Sequence, residues 1–163
     1  MQKQRIYLDT SVISHLLHED TPEKMRDTLA FWKDVKAGRY EVVISDITMA
    51  ELKRCSEPKR TEMFNRLEEV DYTYFPRTDE AEALADAYIE GGVLTRRNKN
   101  DCRHIATAVV SGCDVIVSWN FKHMVKIRTI LGIRPVNAGM GYLNSLEIVT
   151  PTVMLNELDE EDE

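Results

Sequence analysis

Arg5-Ile6-Tyr7-Leu8-Asp9 is a short apolar run closed by an acid, and the rest of the chain falls into order around it. Residues 6–8 have the length and composition of a buried strand, and helical spacing follows through residues 12–18. Pro22 lies near the start of a second helix, where its missing N–H costs little. Met25, Leu29, Trp32 and Val35 recur on one face of it, and Gly38 stops it. The alternation then repeats. Residues 41–44 read as a strand, Asp46 caps a helix to about Cys55, and Pro58 opens another with Met63 and Leu67 on one face. Residues 71–75 read as a strand, residues 79–90 as a helix capped by Asp79 and ended by Gly91-Gly92, and residues 93–100 as a polar, basic loop. Residues 101–111 form a helix ended by Gly112, 115–118 a buried strand, 121–131 a helix stopped by Gly132, and 146–149 a final edge strand. Strands alternating with helices predict an α/β fold with a parallel sheet covered on both faces. In such sheets ligands bind beyond the carboxyl ends of the strands, near the switch in strand order. Asp9 and Asn120 both fall just past such an end, and Glu51 and Asp101 lie on helices that could reach the same edge.

Length and composition set the frame. At 163 residues the chain reads as one domain over residues 1–150, followed by an acidic tail, 151–163, whose composition predicts disorder. No stretch approaches the ~18 uninterrupted apolar residues of a membrane span. Nothing at the N-terminus has a signal-peptide layout. Cys55, Cys102 and Cys113 make an odd set without CxxC spacing, which points to reduced thiols in a cytoplasm. The net charge of −7 comes almost wholly from the last seven residues, which hold six of the 28 acids and leave 22 against 21 bases. The near-neutral body carries local basic clusters, among them Arg96/Arg97/Lys99/Arg103 and Lys122/Lys126/Arg128. Basic clusters beside acidic positions suit a polyanionic substrate, although each cluster alone is also what a solvated helix face looks like.

Asp9, Glu51 and Asp101 are the candidates for chemistry. Each has an ordinary explanation: Asp9 could cap a helix, Glu51 could pair with Arg54, and Asp101 could favour a helix dipole. Thr10 or Ser11 could cap as well as Asp9, however, and a small protein gains no stability by gathering like charges. Converging carboxylates call for a counter-charge, and a hard divalent cation takes oxygen ligands. Such an ion on phosphate esters implies assisted hydrolysis. His15, His18, His104 and His123 lack the paired spacing of a zinc site and read as packed or surface imidazoles, and Cys102 as a small buried apolar group. No GxxxxGK[ST] or GxGxxG segment is present.

Four segments in order carry a resemblance: Ile-Tyr-Leu-Asp9-Thr-Ser, Met-Ala-Glu51-Leu, Asn-Asp101-Cys-Arg-His-Ile-Ala-Thr-Ala and Cys-Asp-Val-Ile-Val-Ser118-Trp-Asn120-Phe-Lys-His. Together they resemble the PIN domain, over residues 5 to about 150. The resemblance implies a Rossmann-like three-layer α/β/α sandwich around a parallel sheet. It also implies a ribonuclease using Mg²⁺ or Mn²⁺, of the kind found in VapC-like toxin–antitoxin pairs. Asp9, Glu51 and Asp101 match three of the family's metal-binding acids and Ser118 its hydroxyl position. Asn120 stands where the family usually has a fourth acid; its carbonyl can ligate a hard cation but supplies no charge. Arg96, Arg97, Lys99 and Arg103 would hold substrate phosphates. RNA is the expected partner, with an antitoxin protein and a second copy of the chain beside it, in the cytoplasm and away from membranes. Two alternatives compete: a PIN-like module that binds RNA or a protein without turnover, favoured by Asn120, and a phosphotransferase with Asp9 as nucleophile. The second wants another Asp two positions on, where Ser11 stands.

Overall fold

The computed structural model describes residues 2–161, the last five by backbone alone. Five strands form one parallel sheet: β1 (Arg5–Leu8), β2 (Glu41–Ser45), β3 (Thr73–Phe75), β4 (Val115–Val117) and β5 (Glu147–Val149), in the order β3-β2-β1-β4-β5. The helices are α1 (Thr10–His15), α2 (Pro22–Lys36), α3 (Asp46–Arg54), α4 (Lys59–Glu68), α5 (Asp79–Glu90), α6 (Lys99–Val110), α7 (Ile127–Gly139) and α8 (Pro151–Glu161). Both faces of the sheet are covered, so alternate residues of a single strand enter different cores. Ile6 and Leu8 of β1 pack with Val12, Phe31, Trp32, Met63 and Leu67 on one side. Tyr7, between them, packs with Leu84, Tyr88, Ile105 and Ile133 on the other. The result is the three-layer α/β/α sandwich.

Local chemistry sets the element ends. Gly112 takes φ +77° after α6, and the amides of Gly112 and Cys113 return to the carbonyls of Val109 and Ala108. That is the paired bond of a left-handed helix stop, which a Cβ would oppose. The caps expected of Asp46 and Asp79 fall one residue earlier. Ser45 Oγ accepts from the Thr48 amide at 3.2 Å, and Thr78 Oγ1 from the Ala81 amide at 3.1 Å.

Two sequence expectations fail. Residues 121–126 are an irregular turn, not a helix, because the Asn120 side chain accepts the His123 amide at 3.0 Å and the Asn120 carbonyl accepts those of Met124 and Val125. The helix begins only at Ile127 and runs through Gly132 and Pro135 to Gly139, so Gly132 does not stop it. The acidic segment from 151, expected as a disordered tail beyond the domain, is instead helical over its described residues, Pro151–Glu161. Pro151 starts α8, Thr150 Oγ1 accepts the Val153 amide at 3.3 Å, Met154 is 2% exposed, and α8 packs on α2. Composition misled there because the helix's first turns carry Met154 and Leu155, and docked apolar residues outweigh the acids that follow. Asp162 and Glu163 lie outside the described residues.

Candidate active site

The strand order reverses between β1 and β4, so the chain leaves their carboxyl ends toward opposite layers and opens a crevice there. Asp9 sits at that crevice, 5% exposed, in extended backbone at the start of α1. Its side chain makes no cap bond to α1, which removes the ordinary explanation for an acid at this place. Instead Oδ2 accepts the hydroxyls of Ser11 and Ser118, each at 2.7 Å. Those two hydroxyls are fixed in turn by the backbone amides of Trp119 and Asn120, each at 2.9 Å. One carboxylate oxygen is thus tied down by β4's continuation, and the other, Oδ1, faces His104 Nε2 at 3.6 Å.

His104 is the centre of the arrangement and was passed over in the sequence. Its side chain is almost fully buried, and Nε2 lies 2.6 Å from Glu51 Oε1. On the far side Nδ1 meets the Tyr7 hydroxyl at 2.5 Å. From there a chain runs Tyr7 hydroxyl to Ser45 Oγ (2.6 Å), Ser45 Oγ to Thr48 Oγ1 (3.4 Å), and Thr48 Oγ1 to the Leu8 carbonyl (3.3 Å). Thr48 Oγ1 donates to the carbonyl, and Nε2 donates to the Glu51 carboxylate, while the Tyr7–Nδ1 bond can carry its proton on either atom. The ring lies between two acids. Burial alone would pull its pKa down, but the Glu51 hydrogen bond and the charges of Asp9, Glu51 and Asp101 outweigh that and raise it. Burial would raise the Glu51 carboxyl in the same way, and its bond to His104 reverses this and lowers it. Asn100 Nδ2 completes the Glu51 shell at 2.9 Å.

Asp101, on the first turn of α6, is held by the turn after β4. His123 Nδ1 lies 2.9 Å from its Oδ2, and Asn120 Nδ2 donates to its Oδ1 at 3.3 Å. Burial raises the Asp101 carboxyl, and the nearby Asp9 charge adds to this against the two imidazoles. The Asn120 carbonyl expected to face a cation is turned to the His123 amide instead, and its amino group faces the acid. As the side chains stand, no three His, Cys, Asp or Glu groups among the described residues converge closely enough to hold a metal. The His104 and His123 rings, each bonded to an acid, stand among these carboxylates instead.

The four expected phosphate contacts separate. Arg103 grips Glu82 with two bonds of 3.0 and 2.9 Å, and Lys99 pairs with Glu82 at 3.1 Å and Asp86 at 3.0 Å. Their charges are matched within the fold. Arg96 and Arg97 instead line a cleft with Lys122 and His123, continued by Lys126 and Arg128. None of these five cations pairs with a carboxylate among the described residues. The signal that could have found His104 was its i+3 spacing from Asp101, which sets both on neighbouring faces of one helix.

The PIN domain family model matches residues 6–122. Among solved structures, one chain of the VapBC2 complex from Rickettsia felis, determined bound to a DNA fragment from its promoter, superposes with a TM-score of 0.52. It covers 89% of this chain and 98% of that one at 16% identity. No curated protein matches the sequence. No helix among the described residues is long and apolar enough to cross a membrane. With the family match spanning the crevice from β1 to the turn after β4, and the fold agreeing, the chain belongs to the PIN domain family.

Proposed function

We propose that this chain is a divalent-metal-dependent endoribonuclease, the toxin member of a cytoplasmic toxin–antitoxin pair. The observation that carries this is the gathering of Asp9, Glu51 and Asp101 from three separate elements at the strand-order switch, next to a cleft of unmatched cations. PIN domains are generally nucleases. The likeness to the Rickettsia felis VapBC2 chain supports a paired antitoxin protein, and two copies of the chain could associate as well.

In chemistry the donors suit Mg²⁺ or Mn²⁺: three carboxylates, all hard oxygen ligands, with Asp9 already oriented by two hydroxyls, and Glu51 and Asp101 would have to turn from His104 and His123 to join it. When bound, such an ion lowers the pKa of a water and polarises a phosphate. The chain's own residues do the rest. Ser118 and Ser11 aim Asp9. His104 holds Glu51 and balances the acids until they are engaged. Asn120 and His123 orient Asp101. Arg96, Arg97 and Lys122 attract the flanking phosphates.

The test is cleavage of a generic labelled RNA by the full chain, titrated with Mn²⁺ and with Mg²⁺, beside Asp9→Asn. Cleavage that needs the ion and disappears in Asp9→Asn is the expected result. Cleavage by Asp9→Asn at the wild-type rate overturns the site. RNA binding without cleavage at any metal concentration would favour the binding-module reading, for which the neutral Asn120 is the physical motive.

A further inference from the structure

The crevice has a second flank, reached from Asp9 through Ser11 rather than through Asp101. Ser11 Oγ accepts the Trp119 amide, and the Ser11 carbonyl accepts His15 Nδ1 at 2.7 Å. The Trp119 ring lies 5.8 Å from His15 and 6.1 Å from Phe121. Lys24 Nζ stands 5.6 Å from the Trp119 ring centre and 5.2 Å from that of Phe121. Trp119 itself is immobilised: it is buried, and its indole N–H donates to Thr28 Oγ1 at 2.9 Å. Phe121, by contrast, is 50% exposed, immediately beyond Asn120.

The charge on this flank is positive and unmatched. Lys59 Nζ donates to Ser14 Oγ and contacts His18 Nε2, each at 2.7 Å, and these partners are neutral acceptors. Neither Lys24 nor Lys59 pairs with a carboxylate among the described residues. Burial lowers the pKa of His15 and of His18, and the charge of Lys59 pushes both in the same direction. A single exposed Phe is unremarkable on a protein surface. A half-exposed ring beside a fixed indole, with the Lys24 ammonium near both rings and placed one residue from the crevice, is a different object. Its physics is that of single-strand binding: a rigid aromatic face for a base and cations for the backbone on either side. A duplex offers no free base face to such a ring.

Resting on the ribonuclease reading, we infer that Phe121 stacks an unpaired base next to the scissile phosphate, with Lys24 and Lys59 holding the backbone on that side. The strand passes from the Arg96/Lys122 cleft over the carboxylates and onto the Trp119/Phe121 flank.

The experiment is fluorescence anisotropy of the full chain with a labelled eight-nucleotide uridine RNA and with an eight-base-pair RNA duplex, in EDTA so that nothing is cleaved. Variants are Phe121→Leu, Phe121→Tyr, Lys59→Gln and, in the other cleft, Arg97→Gln, each first checked for an unchanged melting temperature. Phe121→Leu should weaken single-strand binding about 5- to 100-fold and leave its salt slope alone, while Phe121→Tyr stays within about two-fold of wild type. Lys59→Gln should lower the single-strand salt slope by about 0.7. Duplex binding should not respond to Phe121→Leu. If wild type binds the single strand and Phe121→Leu binds it equally well, the stacking flank is wrong and the ribonuclease reading stands. Equal loss for single strand and duplex also overturns it. If wild type binds no RNA and cleaves none with metal, the ribonuclease reading fails and takes the inference with it. A Phe121→Leu effect confined to self-association, seen by sedimentation, would make the flank a protein contact and overturn the inference too.

Discussion

Asn120→Asp puts a second carboxylate where an amide now donates to Asp101 at 3.3 Å. At that separation two unit charges repel by about 5 kcal/mol at an effective dielectric of about 20. The pair has a cheaper escape, which is to hold one proton between them. Keeping an ordinary aspartate protonated at pH 7 costs about 4 kcal/mol, which sets the ceiling. His123, 2.9 Å from the other Asp101 oxygen, offsets part of this, and the new side chain can rotate toward solvent. A net loss of roughly 2–3 kcal/mol follows, or about 5–10 °C in melting temperature for a chain of this size. The sign with pH is definite. Repulsion raises a carboxyl pKa in the folded protein, so the native state binds more protons than the unfolded chain. Stability therefore recovers as pH falls through the raised value, and the deficit should be smaller at pH 5 than at pH 7.5. Mn²⁺ should also shrink it, because added carboxylate charge strengthens the hold on a cation and a ligand stabilises by its affinity for the native state. The assay is a set of thermal melts of both proteins at the two pH values, with and without Mn²⁺. A deficit equal at pH 5 and 7.5 would refute the repulsion, and equal Mn²⁺-induced shifts would mean that Asn120 does not face the ion.

Three further outcomes follow from other parts of the structure. His104→Leu removes the buried ring that bonds Glu51 and faces Asp9, and removal of one partner from such a buried pair costs about 3–5 kcal/mol; a urea midpoint at pH 7 within error of wild type would contradict that role. Glu82, held down to about 2 from 4.5 by Arg103, with Lys99 aiding, contributes stability that is present above pH 4.5 and lost as pH falls toward 2. Glu82→Gln should therefore lower stability by about 1 kcal/mol at pH 7, after allowance for solvent screening, and by much less at pH 2, measured by urea unfolding. Met154→Ala should cost about 2–3 kcal/mol, because Met154 anchors α8 on α2. A truncation of residues 151–163 that melts like the full chain would return that segment to the status of a tail.

What the sequence determined by itself was whatever short-range chemistry controls. Apolar triplets such as Ile6-Tyr7-Leu8 and Val115-Ile116-Val117 are strands because a sheet covered on both faces demands apolar residues at every position. Gly112 ends α6 because only a residue tolerant of positive φ allows the paired stop. Asp9, Glu51 and Asp101 stood out only in combination, because each alone has an ordinary local use. Where several local rules competed, sequence misjudged the outcome. Asn120 bound its own following amide and turned residues 121–126 aside, while a docked Met154 made a helix of an acidic segment. What the tertiary structure alone decided was partnership. Lys99 and Arg103 look as free as Arg96 and Arg97 in the sequence, yet α5 presents Glu82 to the first two and nothing comparable to the others. His104 has the sequence context of a packed imidazole, and it is packed. Its raised pKa comes from the Glu51 hydrogen bond and the charges of Asp9, Glu51 and Asp101, which outweigh burial, and its other nitrogen meets a Tyr7–Ser45–Thr48 chain crossing two strands and a helix. Electrostatic state is set by what lies within a few ångströms in space, and pairs 36 to 109 residues apart meet here only because the sheet order brings β1 between β2 and β4.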